Sequence, residues 1–471
     1  MPDPNPSAPD GIPPVHAPTS ASDRPTSSLA MISLVAGLCG LSVVPLVGSI
    51  APSRIARWAG SRGVLWTAFG AVHAWLAFVG VVLLPLRAFG DVDLYRYWAA
   101  TGLDTGFWPV LDGPWVYPVG ALVPMLVPAT VSTTSTTAYA LAWSALITAL
   151  DAVAIGALLR RGGTGAWWWL AFLALLGPVA MGRIDAIVAP MVIVALLVAA
   201  QRPRLAAALV TAGAWIKVAP GVLVLPLAMV ARRPVRDVIV PAALVCGGVV
   251  GAVAAGGGLK YVTSFLFAQG TRGLQIESVA ASPWVVAALV RDDVTRVFNP
   301  KLITWEIVGP GTAGAARVLD VLLPLAVEIL ALLLWHARRR PSDVLVWGAL
   351  ALAALLIVFN KVGSPQFYGW LAPPVAVALA RRAGPDGAHP ALLGRVAVVV
   401  LVIAALTQIV FPGAYMSLLT GNGLVTAALV TRNVAVLALL IGACTALARG
   451  PRPAAGADVS AAGADVSAAG A

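Results

Sequence analysis

Charge is scarce in this 471-residue chain: Asp, Glu, Lys and Arg make up 11% of it, against about a quarter in an ordinary soluble domain. Hydrophobic residues make up 59%, and the mean hydropathy is +0.90, a balance solvated by lipid rather than by water. Histidine occurs four times, at 16, 73, 336 and 389: in the N-terminal tail, inside an apolar run, and twice beside arginine clusters. None is placed for Ser-His or His-metal chemistry near the acidic segments. The three cysteines, Cys39, Cys246 and Cys444, fall inside apolar runs without metal-ligand spacing and read as small apolar residues. No Gly-x-x-x-x-Gly-Lys-Ser/Thr stretch occurs, which argues against a self-contained ATP-driven transporter. The formal Gly-x-Gly-x-x-Gly of "GPGTAG", 309–314, contains Pro310 and follows no strand, so it is not a dinucleotide loop. No cleavable signal peptide is visible at the start.

What the chain does have is repeated apolar runs. Several reach the length of about 17–25 residues that crosses a bilayer as a helix. Backbone amides in lipid need internal partners, and the alternation of a barrel is missing, so the spans are expected to be helices. They are read at 29–50, 64–88, 135–159, 165–181, 186–200, 205–217, 218–231, 237–257, 316–336, 344–359, 366–380, 392–412 and 424–448. Some are too short to cross alone, and they read as paired half-spans turning at "MGRID" and "WIKVAP". The expected fold is an all-α polytopic membrane protein. Residues 1–28 and 449–471 read as disordered tails, the latter a seven-residue low-complexity repeat. Residues 29–63 form an extra span with a basic loop, and 64–448 the main membrane domain.

The net charge of +11 sits mostly in short clusters between spans, such as "PSRIAR", "LLRRGG", "QRPR", "ARRPVR" and "HARRRP". That is the positive-inside pattern of cytoplasmic loops, not the basic stripe that nucleic acid needs. It places the C-terminus in the cytoplasm. It also sends Asp91, Asp93, Asp104, Asp112, Asp185, Glu277, Asp292, Asp293 and Glu306 to the outer face, on two large segments, 89–118 and 258–315. Chemistry, if present, is expected to face outward.

The most informative segment is "GDVDLYRYWAATGLDTGFWPVLDGPWVYPVGALVP". A carboxylate at the water–lipid boundary, as at Asp91 and Asp93, suits a general base acting on a hydroxyl beside a lipid-borne partner. Tyr97 and Trp98 lie among aromatics that suit sugar rings, and an interfacial aromatic belt is the bland alternative. Arg183, Lys217, Arg272 and Lys361 are cations at the same face, away from the basic clusters, and are candidates for holding a phosphate. Snorkelling is the competing use of Lys217 and Lys361, and pairing with Glu277 that of Arg272. Asp185, Glu277, Gln366 and Tyr368 are candidates for contacts to sugar or acceptor hydroxyls. Asp151 and Glu328 are single acids within spans.

The acid of "DLYRY" followed by "YPVGALVPMLVP" resembles the first external loop of the GT-C polyprenyl-phosphate-sugar glycosyltransferases, with glycosyltransferase family 87 the nearest type. "MGRIDAIVAPMVIVALLVAAQRPRLAAALVTAGAWIKVAPGVLVLPL", "RGLQIES", "NKVGSPQFYGWLAPP" and "VTRNVAVLALL" agree in order, so the likeness spans roughly 64–448. The half-span turn departs from the family's pattern, with Arg183 and Asp185 in "GRID". The resemblance implies a GT-C-like bundle of about 12–13 transmembrane helices with outer-face loops. It implies transfer of a mannose or arabinofuranose from a polyprenyl-phosphate donor to a lipid-linked glycan, and it carries the catalytic Asp onto Asp93. Asp91 then serves as support, or with Asp93 as an Asp-x-Asp metal pair. No cofactor is expected, nor is a divalent metal, since a polyprenyl phosphate has no diphosphate for an ion to bridge. The expected partners are the sugar donor, the glycan acceptor and the bilayer of the cell membrane, with no nucleic acid. The rival reading is a secondary transporter or lipid flippase, which the short half-spans favour and the large aromatic outer segments disfavour.

Overall fold

The computed structural model describes residues 61–267, 270, 272–300, 302–381 and 390–449. The expected N-terminal tail, most of the first span and its basic loop (29–60, with Cys39), and the C-terminal repeat lie outside these residues. Helix α1 (Arg62–Phe78) continues through a π-turn, Val79–Leu83. There follow α2 (Gly90–Thr105), α3 (Leu122–Ala129), α4 (Thr136–Leu159) and α5 (Gly163–Leu176). Next come α6 (Asp185–Val198), α7 (Pro203–Ile216), α8 (Val224–Val230) and α9 (Val240–Ala255). A long connection holds α10 (Ser282–Ala287) and the strands β1 (Thr295–Asn299) and β2 (Thr304–Val308). The chain closes with α11 (Thr312–Ala337), α12 (Ala349–Val358), α13 (Ala372–Arg381), α14 (Pro390–Gln408) and α15 (Gly423–Arg449).

Among the described residues eight helices are long and apolar enough to cross a membrane, the outer two of the series being Arg62–Leu83 and Gly423–Arg449. The protein is therefore an all-α polytopic membrane protein. The expected spans at 186–200, 205–217, 218–231 and 366–380 are the shorter ones. Helices α6 and α7, of 14 residues each, reach only about 21 Å at 1.5 Å per residue and pack against each other as an antiparallel pair. The helices break at both expected points. The second is a fold-back, with the Ala219–Leu223 turn and α8 packed on α7, whereas α5 with its 3₁₀ turn is long enough to cross a membrane alone. The α5 helix ends in a 3₁₀ turn, Gly177–Ala180, before α6 starts at Asp185, and α7 stops where Lys217 adopts an extended conformation.

Two things differ from the sequence reading. Residues 90–105, expected within an external loop, form a helix, ended by Gly106 in the left-handed conformation (φ 76°). The 258–315 segment contains an antiparallel hairpin pairing Thr295 with Val308 through Asn299 with Thr304, built on Val, Phe, Thr, Trp and Ile. The core centres on α5, whose Trp167, Trp168 and Trp169 are all buried, and on α12, while α9 and α11 turn most of their surface outward. Van der Waals packing, not water exclusion, holds helices together in lipid, so close approach matters. A Cβ on Gly165 would lie 2.4 Å from the Ala376 carbonyl of α13, and only glycine lets those two helices meet there.

Candidate active site

Helix α2 sets Asp91 and Asp93 in its first turn, where carboxylates complement the helix dipole. Two residues apart on a helix is about 200°, so the two side chains face opposite ways. Asp91 pairs with Arg183, the cation of the α5–α6 turn, whose guanidinium stacks on Phe411 at 5.4 Å. Asp93 turns to Arg96 (Nε to Oδ1, 2.8 Å) and to the Thr136 hydroxyl (2.8 Å, also to Oδ1). Its side chain is 41% exposed, and among the described residues Oδ2 has no hydrogen-bond partner. The Asp-x-Asp pair therefore does not converge on one point. No group of three His, Cys, Asp or Glu side chains among the described residues is arranged to hold a metal ion.

The second half of the cluster sits at the α6 N-terminus. Asp185 accepts a hydrogen bond from Trp370 Nε1 (2.7 Å) on Oδ1, and Lys217 Nζ lies 3.4 Å from Oδ2. Lys217 also sits over the rings of Tyr117 (5.2 Å) and Phe367 (5.6 Å). Tyr95, completely buried on α2, accepts from the Ile184 amide (3.1 Å) and so ties α2 to the same turn. Burial pushes the Tyr117 phenol above its ordinary pKa, opposed by Lys217, so it stays a neutral wall for the ammonium. Arg183 and Lys217, the candidates for holding a phosphate, are thus each matched to a carboxylate, and the four charges sum to zero.

Trp98 shares Asp91's face of α2 and meets Trp115 (5.1 Å) and Tyr117 (5.9 Å) edge-on, forming an aromatic wall beside the charges. Tyr97 lies on the Asp93 face, four residues on. A narrow apolar cleft opens next to Trp370, between α6, the Ala219–Leu223 turn and α12, with Pro373 and Pro374. A second, small cavity is lined by Asp185, Gln366 and Asp151. Asp151 is not single: His73 Nε2 lies 3.1 Å from its Oδ2, and Trp169 Nε1 donates to Oδ1. Gln366 accepts from the Ser364 hydroxyl (2.6 Å) and lines this cavity.

Three candidates have partners that the sequence did not indicate. Glu277 does not hold Arg272. It binds Arg432 of α15, fully buried, at 2.9 Å, because the 273–278 stretch is pressed against the 361–363 loop. A Cβ on Gly363 would lie 2.1 Å from the Ser278 amide nitrogen, so glycine is what permits that contact. Tyr368, expected to meet a sugar hydroxyl, lies under the Arg432 guanidinium (4.3 Å) and donates to Asn433 Oδ1 (3.2 Å). Burial raises the Glu277 carboxyl above the ordinary carboxylate range, with Arg432 pulling it back. Lys361 is not isolated: it meets Asp320 (2.9 Å) and the Gly270 carbonyl (3.2 Å), away from the Asp185 group. Arg272, by contrast, has no ion pair among the described residues.

The sequence reading quoted Arg432 and Asn433 within "VTRNVAVLALL" without a role. The missed signal was an arginine ten residues inside an apolar helix, which lipid penalises unless it has a partner. Tyr117, Trp370 and Asp320 gave no comparable signal, since their partners are distant in sequence.

The sequence profile of glycosyltransferase family 87 matches residues 115–365. No curated protein and no solved structure matches the chain. The matched stretch covers more than half of the 471 residues and takes in Tyr117, Arg183, Asp185, Lys217, Arg272, Glu277 and Lys361. The chain belongs to glycosyltransferase family 87 and is a membrane glycosyltransferase.

Proposed function

We propose that the protein moves one sugar, mannose or arabinofuranose, from a polyprenyl-phosphate donor to a hydroxyl of a lipid-linked glycan, with inversion at the anomeric carbon. The observation that carries this reading is the state of Asp93: Oδ1 is fixed by Arg96 and Thr136, while Oδ2 is open at a partly exposed position in the first turn of α2. A carboxylate so held is oriented but still basic toward a hydroxyl. The acceptor O–H proton passes to Asp93 Oδ2 as the acceptor oxygen bonds to the anomeric carbon. The bond from that carbon to the phosphate oxygen breaks on the opposite face, and the lipid phosphate leaves with the electron pair. Nearby cations stabilise that developing charge, so no acid is needed for the leaving group. Asp91 acts through Arg183, holding its guanidinium in place.

The apolar cleft next to Trp370 suits the first isoprene units of the donor, because it opens beside the Asp185–Lys217 pair at the end of α7. The arginine clusters at the other helix ends favour an outward-facing reaction, by the positive-inside rule. The test is transfer in vitro: purified wild type and Asp93→Asn, each with radiolabelled polyprenyl-phosphate mannose or arabinofuranose and a membrane lipid extract. Label entering a glycolipid with wild type alone supports the class, the base and the sugar together. Equal transfer by both proteins removes Asp93 as the base.

A further inference from the structure

Of the two acids read within spans, Asp151 has buried partners, whereas Glu328 has neither an ion pair nor a hydrogen bond among the described residues. Glu328 lies on α11, where only 17% of the apolar stretch is buried against the rest of the chain, and it is exposed on the outward face. The helix has 26 residues, about 39 Å at 1.5 Å per residue, and Glu328 stands nine residues before its end. A hydrocarbon core of about 30 Å centred on this helix therefore encloses Glu328, about 9 Å from the nearer, arginine-rich boundary. Helical Cα–Cβ bonds tilt toward the N-terminus, so its short side chain leads away from that boundary, the reverse of snorkelling. The basic residues of the same helix and its end, Arg317, His336 and Arg338, are at least eight residues away, about 12 Å of rise. Arg338 is moreover stacked on the Trp335 ring at 4.1 Å.

The residues that share its face recur at a fixed spacing. Val318, Val321, Leu325, Leu332 and Trp335 are all exposed, and with Glu328 between Leu325 and Leu332 the steps along the chain are 3, 4, 3, 4 and 3. A period of 3.5 residues is the seam of a left-handed helix pair crossing at about 20°. Lipid tails cover the apolar members of such a seam but offer nothing to a carboxylate at a depth without water. A polar residue within a seam fixes register and choice of partner. Charge complementarity names the side chain that answers it: Lys, Arg or His level with Glu328. A symmetric contact with a second copy, whose α11 has to cross the membrane in the same direction, would set carboxylate against carboxylate. We propose that the 318–335 stripe of α11 is a docking surface for a transmembrane helix of another membrane protein, one that presents a basic side chain to Glu328. The stripe carries no residue assigned to the transfer reaction.

The test is binding of synthetic single-span peptides to the purified full-length protein in liposomes, read by fluorescence energy transfer. Two Leu/Ala peptides share one apolar seam and differ at the position level with Glu328, which is Lys in one and Leu in the other. Wild type should bind the Lys peptide about three- to twenty-fold tighter than the Leu peptide, the range of an interhelical hydrogen bond. Glu328→Leu should erase that preference while melting no lower than wild type, which separates a lost contact from a lost fold. Leu332→Ala should weaken both peptides, whereas Leu244→Ala on the exposed face of α9 should weaken neither. In host membranes, a photoreactive side chain in place of Leu332 should crosslink to a span that carries a basic residue, and Glu328→Leu should remove that product. Equal binding of the two peptides, or binding of neither, overturns the surface, as do crosslinks to lipid alone. Glu328-dependent crosslinks between two copies of this chain make the occupant a second copy and overturn the basic partner.

Discussion

The two ends of the helix bundle use arginine in opposite ways. At the arginine-rich end guanidinium groups meet helix C-terminal carbonyls, alongside two ion pairs, Arg340 with Asp343 and Arg204 with Asp237. Arg381 donates to the Leu196 carbonyl (2.7 Å), Arg340 to those of Ala446 (3.4 Å) and Leu447, and Arg338 to that of Trp335 (2.8 Å). Carbonyls in a helix's last turn lack the i+4 amide donor of the helix interior and carry the negative end of the helix dipole, so a cation there is a cap. At the carboxylate end Arg183 and Arg432 instead pair with Asp91 and Glu277, and Lys217 with Asp185, each beside an aromatic ring. A cap completes a helix and asks for no particular partner. A buried ion pair on an aromatic wall fixes two distant segments in one geometry, which is what a reaction centre needs.

Substitutions separate these two uses. The largest effect is expected from Asp93→Asn, which should lower the transfer rate by about 10²–10⁴-fold without changing protein yield or melting temperature, the range of general-base catalysis. If it matches wild type, the carboxylate end is no more catalytic than the other. Arg432→Met should remove the partner of a carboxylate buried at 4% exposure and cost about 3–5 kcal/mol, read as a large drop in melting temperature in detergent. The double variant Glu277→Met with Arg432→Met should recover part of that loss. Asp91→Asn should lower the transfer rate by about a hundred-fold at most, through a misplaced Arg183, while the protein stays folded. A loss as large as that of Asp93→Asn would move the base to Asp91. Arg381→Met should be the mildest, costing about 1 kcal/mol of stability as a lost cap and leaving the transfer rate within about two-fold of wild type. A strong loss of activity there would break the distinction between the two ends.

Local pattern made much of this legible. The apolar runs, the Pro and Gly at their ends and the arginine clusters set out the helices, their breaks at "MGRID" and "WIKVAP", and the fold-back at the second. The helix at 90–105 was hidden because its buried stripe, Val92, Tyr95, Ala99 and Gly102, is narrow and set among charged and polar residues, and it forms against α3 and α4 by tertiary contact. The hairpin was hidden because ten residues of strand between long helices give too short an alternation to stand out. In the site, residue types were readable and pairings were not. The pairs Asp91 with Arg183, Asp185 with Lys217 and Glu277 with Arg432 join residues 92, 32 and 155 positions apart, a separation that no local pattern reports.

What the sequence by itself determined, then, is the solvent and the class: a chain with this little charge and these apolar runs has to bury its backbone polar groups in helices that cross lipid. Its profile determined the family. Only the tertiary structure decided which cation is balanced and which is not, because charge compensation depends on distances below about 4 Å between segments that sequence spacing leaves free. That is why Arg183, Lys217, Arg272 and Lys361 look equivalent as a string of residues and differ once the chain is folded.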